Sequence, residues 1–143
     1  MNIERYITKL EQIKRNCELI KEKLPKTFEE FNRLGLIKDG IYKRYEYSVE
    51  LIIEIILMIN SDFQLGIPNG INEVIDQLVE QEFLSSEIAG LIKAIKGFRN
   101  VLVHRYGVLD EELTFETIKD RLDDFEKIEK EILALLKKYK DKK

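Results

Sequence analysis

Residues 51–59 read Leu-Ile-Ile-Glu-Ile-Ile-Leu-Met-Ile, an apolar run interrupted only by Glu54. A membrane-spanning helix needs about 20 consecutive apolar residues, so this shorter run predicts a helix buried inside a protein and no membrane partner. A helix that is apolar nearly all round must be covered on every side, by other helices or by a second subunit. The run therefore predicts the centre of a helical bundle.

Helical periodicity continues on both sides of this run. Apolar residues spaced three and four apart predict a first helix that ends before Pro25. The stretch Thr27-Phe28-Glu29-Glu30 has the form of a capping box and predicts a short helix after it. The central helix is predicted from about Lys38 to Ile59, and after a glycine-containing loop at 66–70 a further helix begins at Ile71.

Two more helices are predicted in the remaining part of the chain. Ser85 is a candidate N-cap for a helix that ends around Tyr106-Gly107 and whose core stripe is Leu91, Ile92, Ile95, Phe98 and Leu102. Thr114 is a candidate N-cap for the last helix, whose apolar positions are spaced by seven: Ile118, Phe125, Ile132 and Tyr139. No stretch alternates with period two, so apart from the short helix after Pro25 we predict an all-α, up-and-down helical bundle of four to five helices.

Composition bounds the class of protein. The chain has 143 residues, of which 44% are hydrophobic and 36% charged, and this size predicts a single domain over residues 1–143. The net charge of −3 disfavours a general polyanion binder, although a local basic site remains compatible with it. Cys17 is the only cysteine, so an intramolecular disulfide and a thiolate metal cluster are excluded, and we expect a cytoplasmic protein.

One helix face carries the candidate chemistry. On a helical wheel a polar strip lies beside the core stripe, with Arg99 at its edge, and consists of Lys93, Lys96, Asn100 and His104. Histidine exchanges a proton near neutral pH, and arginine binds two phosphate oxygens at once. A plainer interpretation also stands: His104 stabilises the helix dipole, and Arg99 pairs with a surface carboxylate.

A family resemblance favours the chemical interpretation. The pattern Arg99-Asn100-x-x-x-His104-x-Tyr106 resembles the Arg-x-x-x-x-His-x-Tyr motif of the HepT-like HEPN-domain ribonuclease toxins. The surrounding sequence GFRNVLVHRYGVLDEELTFETI, residues 97–118, is similar to how these proteins leave the motif helix and enter the last one. The resemblance is strong over residues 91–136 and looser over residues 44–84.

The resemblance implies a function and a set of active residues. It implies a homodimer with a composite cleft in which Arg99 and His104 cleave RNA without a metal ion or cofactor, by attack of the ribose 2′-hydroxyl. Asn100 would orient the histidine or bind phosphate, and Lys96 and Arg105 are candidate RNA-binding residues. It also implies a type VII-like toxin–antitoxin pair, in which an MntA-like nucleotidyltransferase antitoxin transfers AMP from ATP onto Tyr106.

Two alternatives remain beside this prediction. One is a non-catalytic HEPN module that docks a nucleotidyltransferase or binds a nucleotide. The other, which we rank last, is a purely structural helical dimer. The intact Arg99, His104 and Tyr106 favour the toxin, because a docking subunit does not need all three. Glu54 is also open to two interpretations: it holds Arg99 in place, or it lies at the bundle surface or pairs with a lysine.

Overall fold

The computed structural model describes residues 1–103 and 110–140. These residues form helices and contain no strand, so the predicted all-α bundle is confirmed. The helices are α1 (Ile3–Lys23), α2 (Phe28–Asn32), α3 (Leu36–Asp62), α4 (Ile71–Glu80), α5 (Ser86–Val103), α6 (Glu111–Arg121) and α7 (Asp124–Lys140). Within the described part of the chain, none of these helices has the length and apolar character needed to cross a bilayer.

Helix α3 lies at the centre of the bundle, as its apolar run predicts. It packs mainly against α1, α4 and α5. The chain itself buries most of the run, namely Leu51, Ile52, Ile55, Ile56 and Ile59. Leu57 is 38% exposed, and Glu54 faces solvent. Other helices of the same chain therefore cover most of the run. Little of its surface remains for a second subunit to bury.

Two of the predicted helix starts are confirmed by their capping bonds. The Thr27 hydroxyl accepts a hydrogen bond from the backbone N–H of Glu30 at 3.2 Å, at the start of α2. The Ser85 hydroxyl accepts one from the backbone N–H of Ile88, also at 3.2 Å, at the start of α5. In both cases the side-chain oxygen satisfies an amide that has no partner within its helix.

The predicted cap of the last helix is wrong. Thr114 lies inside α6, and its hydroxyl donates to the backbone carbonyl of Asp110 at 2.8 Å. The cap is Asp110, whose carboxylate accepts from the backbone N–H of Leu113 at 3.0 Å. Aspartate is as strong an N-cap as threonine, and this one stands a full turn earlier in the sequence.

The last predicted helix is also divided into two. Helix α6 ends at Arg121, and α7 begins at Asp124. The seven-residue spacing continues across this break, because Ile118, Phe125 and Ile132 are all buried in the same core. The apolar pattern therefore predicts which side chains are buried, whereas it does not reveal the short interruption between them.

An aromatic contact in the core fixes α5 against α3. The Tyr45 ring on α3 meets the edge of Phe98 on α5 with ring centroids 5.4 Å apart. The same tyrosine meets Phe125 on α7 at 5.3 Å. Edge-to-face pairs of this kind have a preferred geometry as well as a large buried area. The residue after Phe98 is Arg99, so this contact positions the backbone that carries the candidate arginine.

Candidate functional site

Arg99 lies near the end of α5, on the side of that helix that faces α3. Its side chain is 26% exposed, with the remainder covered by the bundle. The Nε atom is buried and has no hydrogen-bond partner among residues 1–103 and 110–140. A guanidinium held in this way combines a buried stem with a partly exposed charge, as an arginine that binds a ligand requires.

The carboxylate that meets Arg99 belongs to Glu50 of α3. The Nη2 atom of Arg99 donates to Oε1 of Glu50 at 2.7 Å, and the glutamate side chain is 40% exposed. The pairing of Arg99 with a carboxylate, which the sequence left open as the plainer interpretation, is therefore observed. A guanidinium carries five N–H donors, so a contact through one nitrogen leaves further donors for another acceptor.

Glu54 does not hold Arg99, and the alternative interpretation of this residue is confirmed. Its carboxylate accepts from Nζ of Lys9 on α1 at 2.6 Å. Sequence reasoning missed Glu50, although it stands one turn earlier on the same helix. The spacing of two glutamates four residues apart gives a common face, but only the packing of α1 and α5 decides which glutamate meets which cation.

The two lysines of the polar strip turn toward α4 and are paired there. Lys96 donates from Nζ to the side-chain oxygen of Asn72 at 3.0 Å. Lys93 forms an ion pair with Asp76. Asn100 is exposed. The structure therefore separates Arg99, which pairs with α3, from the two lysines, which pair with α4.

Three predicted site residues lie outside the described residues: His104, Arg105 and Tyr106. The structure thus describes Arg99, Asn100 and Lys96 of the predicted set. Each of these three belongs to α5, whose last described residue is Val103, so the predicted end of this helix around Tyr106-Gly107 also lies outside the described residues.

An apolar groove lies elsewhere on the described surface, between α1 and α7. It has a volume of about 360 Å³, and Cys17 and Phe125 are among its lining residues. Burial raises the pKa of the Cys17 thiol to about 12, with only partial opposition from Lys21. The thiol is therefore protonated near neutral pH, which makes it a poor nucleophile. Over residues 1–103 and 110–140, no three histidine, cysteine or acidic side chains are arranged to hold a metal ion.

Comparisons with known proteins identify a family and similar sequences. The sequence model of the family described as ribonuclease HepT-like matches residues 13–132. An mRNA nuclease HepT of Shewanella oneidensis is 26% identical over 97 residues, which cover 68% of this chain and 73% of that protein.

Solved structures are similar over nearly the whole chain. The tri-AMPylated Shewanella oneidensis HEPN toxin in complex with MNT antitoxin superposes with a TM-score of 0.81 at 26% identity, covering 94% of this chain and 99% of that one. A cytosolic protein of unknown function from Bacillus subtilis, YutE, superposes with a TM-score of 0.78 at 14% identity, covering 97% of this chain and 93% of that one. The second likeness bears on the fold alone.

Proposed function

Because the chain belongs to the ribonuclease HepT-like family, we propose that it is a metal-independent endoribonuclease and the toxin of a type VII-like toxin–antitoxin pair. The family resemblance inferred from residues 97–118 is confirmed by this membership. The observation that carries the mechanism is the Arg99 guanidinium, which is partly exposed and engaged by Glu50 through one nitrogen only. Remaining donors on it are suited to the oxygens of a phosphate.

The proposed reaction uses the nucleophile that RNA carries. His104 removes the proton of the ribose 2′-hydroxyl, and the 2′-oxygen attacks the adjacent phosphorus. The new P–O2′ bond forms as the P–O5′ bond breaks, which leaves a cyclic phosphate on one fragment and a 5′-oxygen on the other. A proton from His104 of a second subunit, or from water, completes the 5′-hydroxyl. Arg99 stabilises the negative charge that builds up on the phosphoryl oxygens.

Auxiliary roles belong to the neighbours of these two residues. Asn100 is exposed beside Arg99 and orients the histidine or binds a phosphate oxygen. Lys96 and Arg105 attract the RNA backbone, and Lys96 does so from its place beside Asn72. These contributions are electrostatic and weaken as salt concentration rises.

A homodimer is part of the proposal, because in one version of the mechanism His104 of the second subunit supplies the leaving-group proton. An exposed apolar side chain on α5 supports an interface close to Arg99: Val101 is 51% exposed. Light scattering at low micromolar concentration is expected to report twice the monomer mass of 16.9 kDa. A monomer over that range would remove the two-histidine version of the mechanism.

The last part of the proposal is that a partner enzyme controls the nuclease activity. A nucleotidyltransferase antitoxin of the MntA type transfers AMP from ATP onto Tyr106, two residues beyond His104. The similar solved structure is a tri-AMPylated toxin bound to an MNT antitoxin, which supports this assignment. Each AMP adds negative charge and a bulky base close to the site, so it opposes the approach of RNA by repulsion and by occlusion.

The chemistry is tested with purified protein and an in vitro transcribed mRNA. Arg99→Ala and His104→Ala should each reduce cleavage to background without loss of the fold, and cleavage by the wild type should persist in EDTA. A short oligonucleotide with 2′-deoxyribose at the mapped cut site should resist cleavage, because it lacks the internal nucleophile. Inhibition by EDTA, or equal cutting of the deoxy oligonucleotide, would contradict the proposed reaction.

The control by AMP transfer is tested separately with Tyr106→Phe. This variant should cleave RNA and should escape inactivation when it is incubated with the partner nucleotidyltransferase and ATP. Wild-type protein in the same incubation should gain the mass of AMP and lose activity. Normal inactivation of the phenylalanine variant would show that Tyr106 is not the point of control.

A further inference from the structure

We propose that Glu50 is a positioning residue for Arg99, an inference that rests on the proposed function of Arg99 in RNA cleavage. The carboxylate of Glu50 accepts from Nη2 of Arg99 at 2.7 Å across the contact between α3 and α5. Among the described residues, this is the single ion pair that joins those two helices. Glu50 therefore fixes one edge of the guanidinium while Arg99 remains partly exposed.

The backbone geometry makes this pair specific. Tyr45 and Phe98 hold α3 and α5 together edge to face, with ring centroids 5.4 Å apart. Arg99 is the next residue of α5, and Glu50 lies little more than one turn beyond Tyr45 on α3. An arginine side chain has several rotatable bonds, and ordering it before the phosphate arrives lowers the entropy cost of reaching the transition state. The aromatic contact sets the helix spacing, and the carboxylate then selects the orientation of the guanidinium.

The exposure of the two side chains indicates that the pair contributes little to the stability of the fold. Both side chains of the pair are partly exposed, at 26% for Arg99 and 40% for Glu50. Ion pairs at this level of exposure contribute little to folding stability. Loss of the Glu50 carboxylate should therefore change where the Arg99 guanidinium lies much more than it changes the folded fraction.

The matched control is Glu54, one turn farther along α3. Its carboxylate is also exposed and also accepts from a cation, but the cation is Lys9 on α1. Glu54→Ala thus removes a similar surface ion pair from the same helix without touching Arg99. Any general effect of losing a negative charge from α3 appears equally in both variants.

The experiment measures single-turnover and steady-state cleavage of an in vitro transcribed mRNA by the full chain. Glu50→Ala should lower kcat by about 10- to 100-fold with little change in KM, because displacement of a catalytic group by about 1 Å costs rates of this order. Glu50→Gln keeps a hydrogen-bond acceptor and should recover most of the lost rate. Glu54→Ala should match the wild type, and the thermal midpoints of all three should stay close to that of the wild type.

A double variant distinguishes this inference from the function on which it rests. If Glu50 acts through the Arg99 guanidinium, then Glu50→Ala should lower the residual cleavage by Arg99→Lys much less than it lowers cleavage by the wild type. An inactive Arg99→Ala beside a fully active Glu50→Ala would overturn the role of Glu50 and leave the proposed function standing. An active Arg99→Ala would overturn the proposed function itself. Equal losses in Glu50→Ala and Glu54→Ala would also overturn the positioning role.

Discussion

Two regions of the molecule each contain a side chain that is a candidate for chemistry, Arg99 in one and Cys17 in the other. They differ in the surroundings of that side chain. The Arg99 site comprises Arg99 and Glu50 at the contact of α5 with α3, and it is partly exposed. The Cys17 groove comprises Cys17 and the walls of the cleft between α1 and α7, with a volume of about 360 Å³. The groove is a cavity with a thiol in its wall, whereas the Arg99 site is an ion pair between two helices.

The difference shows that a cavity does not by itself indicate a reactive site in this fold. Burial raises the pKa of Cys17 to about 12, so its reactive thiolate form is suppressed. Among the described residues, the Arg99 guanidinium pairs with one carboxylate oxygen, that of Glu50. The thiol in the groove is therefore in its unreactive, protonated form. The Arg99 site instead presents a cation that can bind an anion.

The largest expected effect separates the two regions by activity. Arg99→Lys keeps the charge but loses the forked donors needed for Glu50 and a phosphate together, so cleavage should fall by about 10²- to 10³-fold. Cys17→Ala should cleave RNA at the wild-type rate. Both are measured on the same mRNA substrate at equal concentrations of folded protein. Loss of activity in Cys17→Ala without loss of fold would break the comparison, because it would move chemistry into the groove.

The next effect concerns stability and reverses the ranking of the two regions. Phe125 lines the Cys17 groove and is 2% exposed, so Phe125→Ala should destabilise the fold by about 3–5 kcal/mol. Phe98 beside Arg99 is only partly buried, so Phe98→Ala should cost less, about 1–3 kcal/mol. Urea unfolding followed by circular dichroism measures both. An equal or larger loss for Phe98→Ala would show that the Arg99 site, and not the groove, lies over the tighter core.

The amino-acid sequence predicts the core well and the polar contacts poorly. The apolar spacing of α3, α5 and α7 predicts the buried residues, because burial follows helical periodicity directly. The pairing of Glu50 with Arg99 joins residues that are far apart in the sequence. Since Glu50 and Glu54 share a helix face, only the packing of α1 and α5 distinguishes them. The roles of His104 and Tyr106 come from the family resemblance and stay predictions.

A smaller effect concerns the helix starts on either side of the motif. Asp110 caps α6 through the N–H of Leu113 at 3.0 Å, and Ser85 caps α5 through the N–H of Ile88 at 3.2 Å. Substitution of either residue by alanine should cost about 1 kcal/mol. Thr114→Val keeps the shape of the residue inside α6 and should cost less than Asp110→Ala. The reverse order in thermal unfolding would restore Thr114 as the cap.

The smallest effect lies between the two regions, at Tyr45, whose ring contacts both Phe98 and Phe125. Its hydroxyl is buried and has no hydrogen-bond partner among residues 1–103 and 110–140. Removal of an unsatisfied buried polar group is favourable, so Tyr45→Phe should stabilise the fold at pH 7 by about 0.5 kcal/mol. Tyr6 is the matched control, because its hydroxyl donates to Asp62 and Tyr6→Phe should therefore destabilise the fold.

The pH dependence of folding stability gives a second test of the Tyr45 prediction. Burial raises the pKa of Tyr45, and the nearby charge of Asp124 raises it further. A group that holds its proton more tightly in the folded state contributes its full stability below its unfolded pKa, about 10 for tyrosine, and loses it as pH rises above that value. Wild-type protein should therefore lose stability above pH 10 more steeply than Tyr45→Phe. Parallel curves from pH 8 to 11 would mean that the Tyr45 hydroxyl reaches water, and that the core between the two regions is looser than the structure shows.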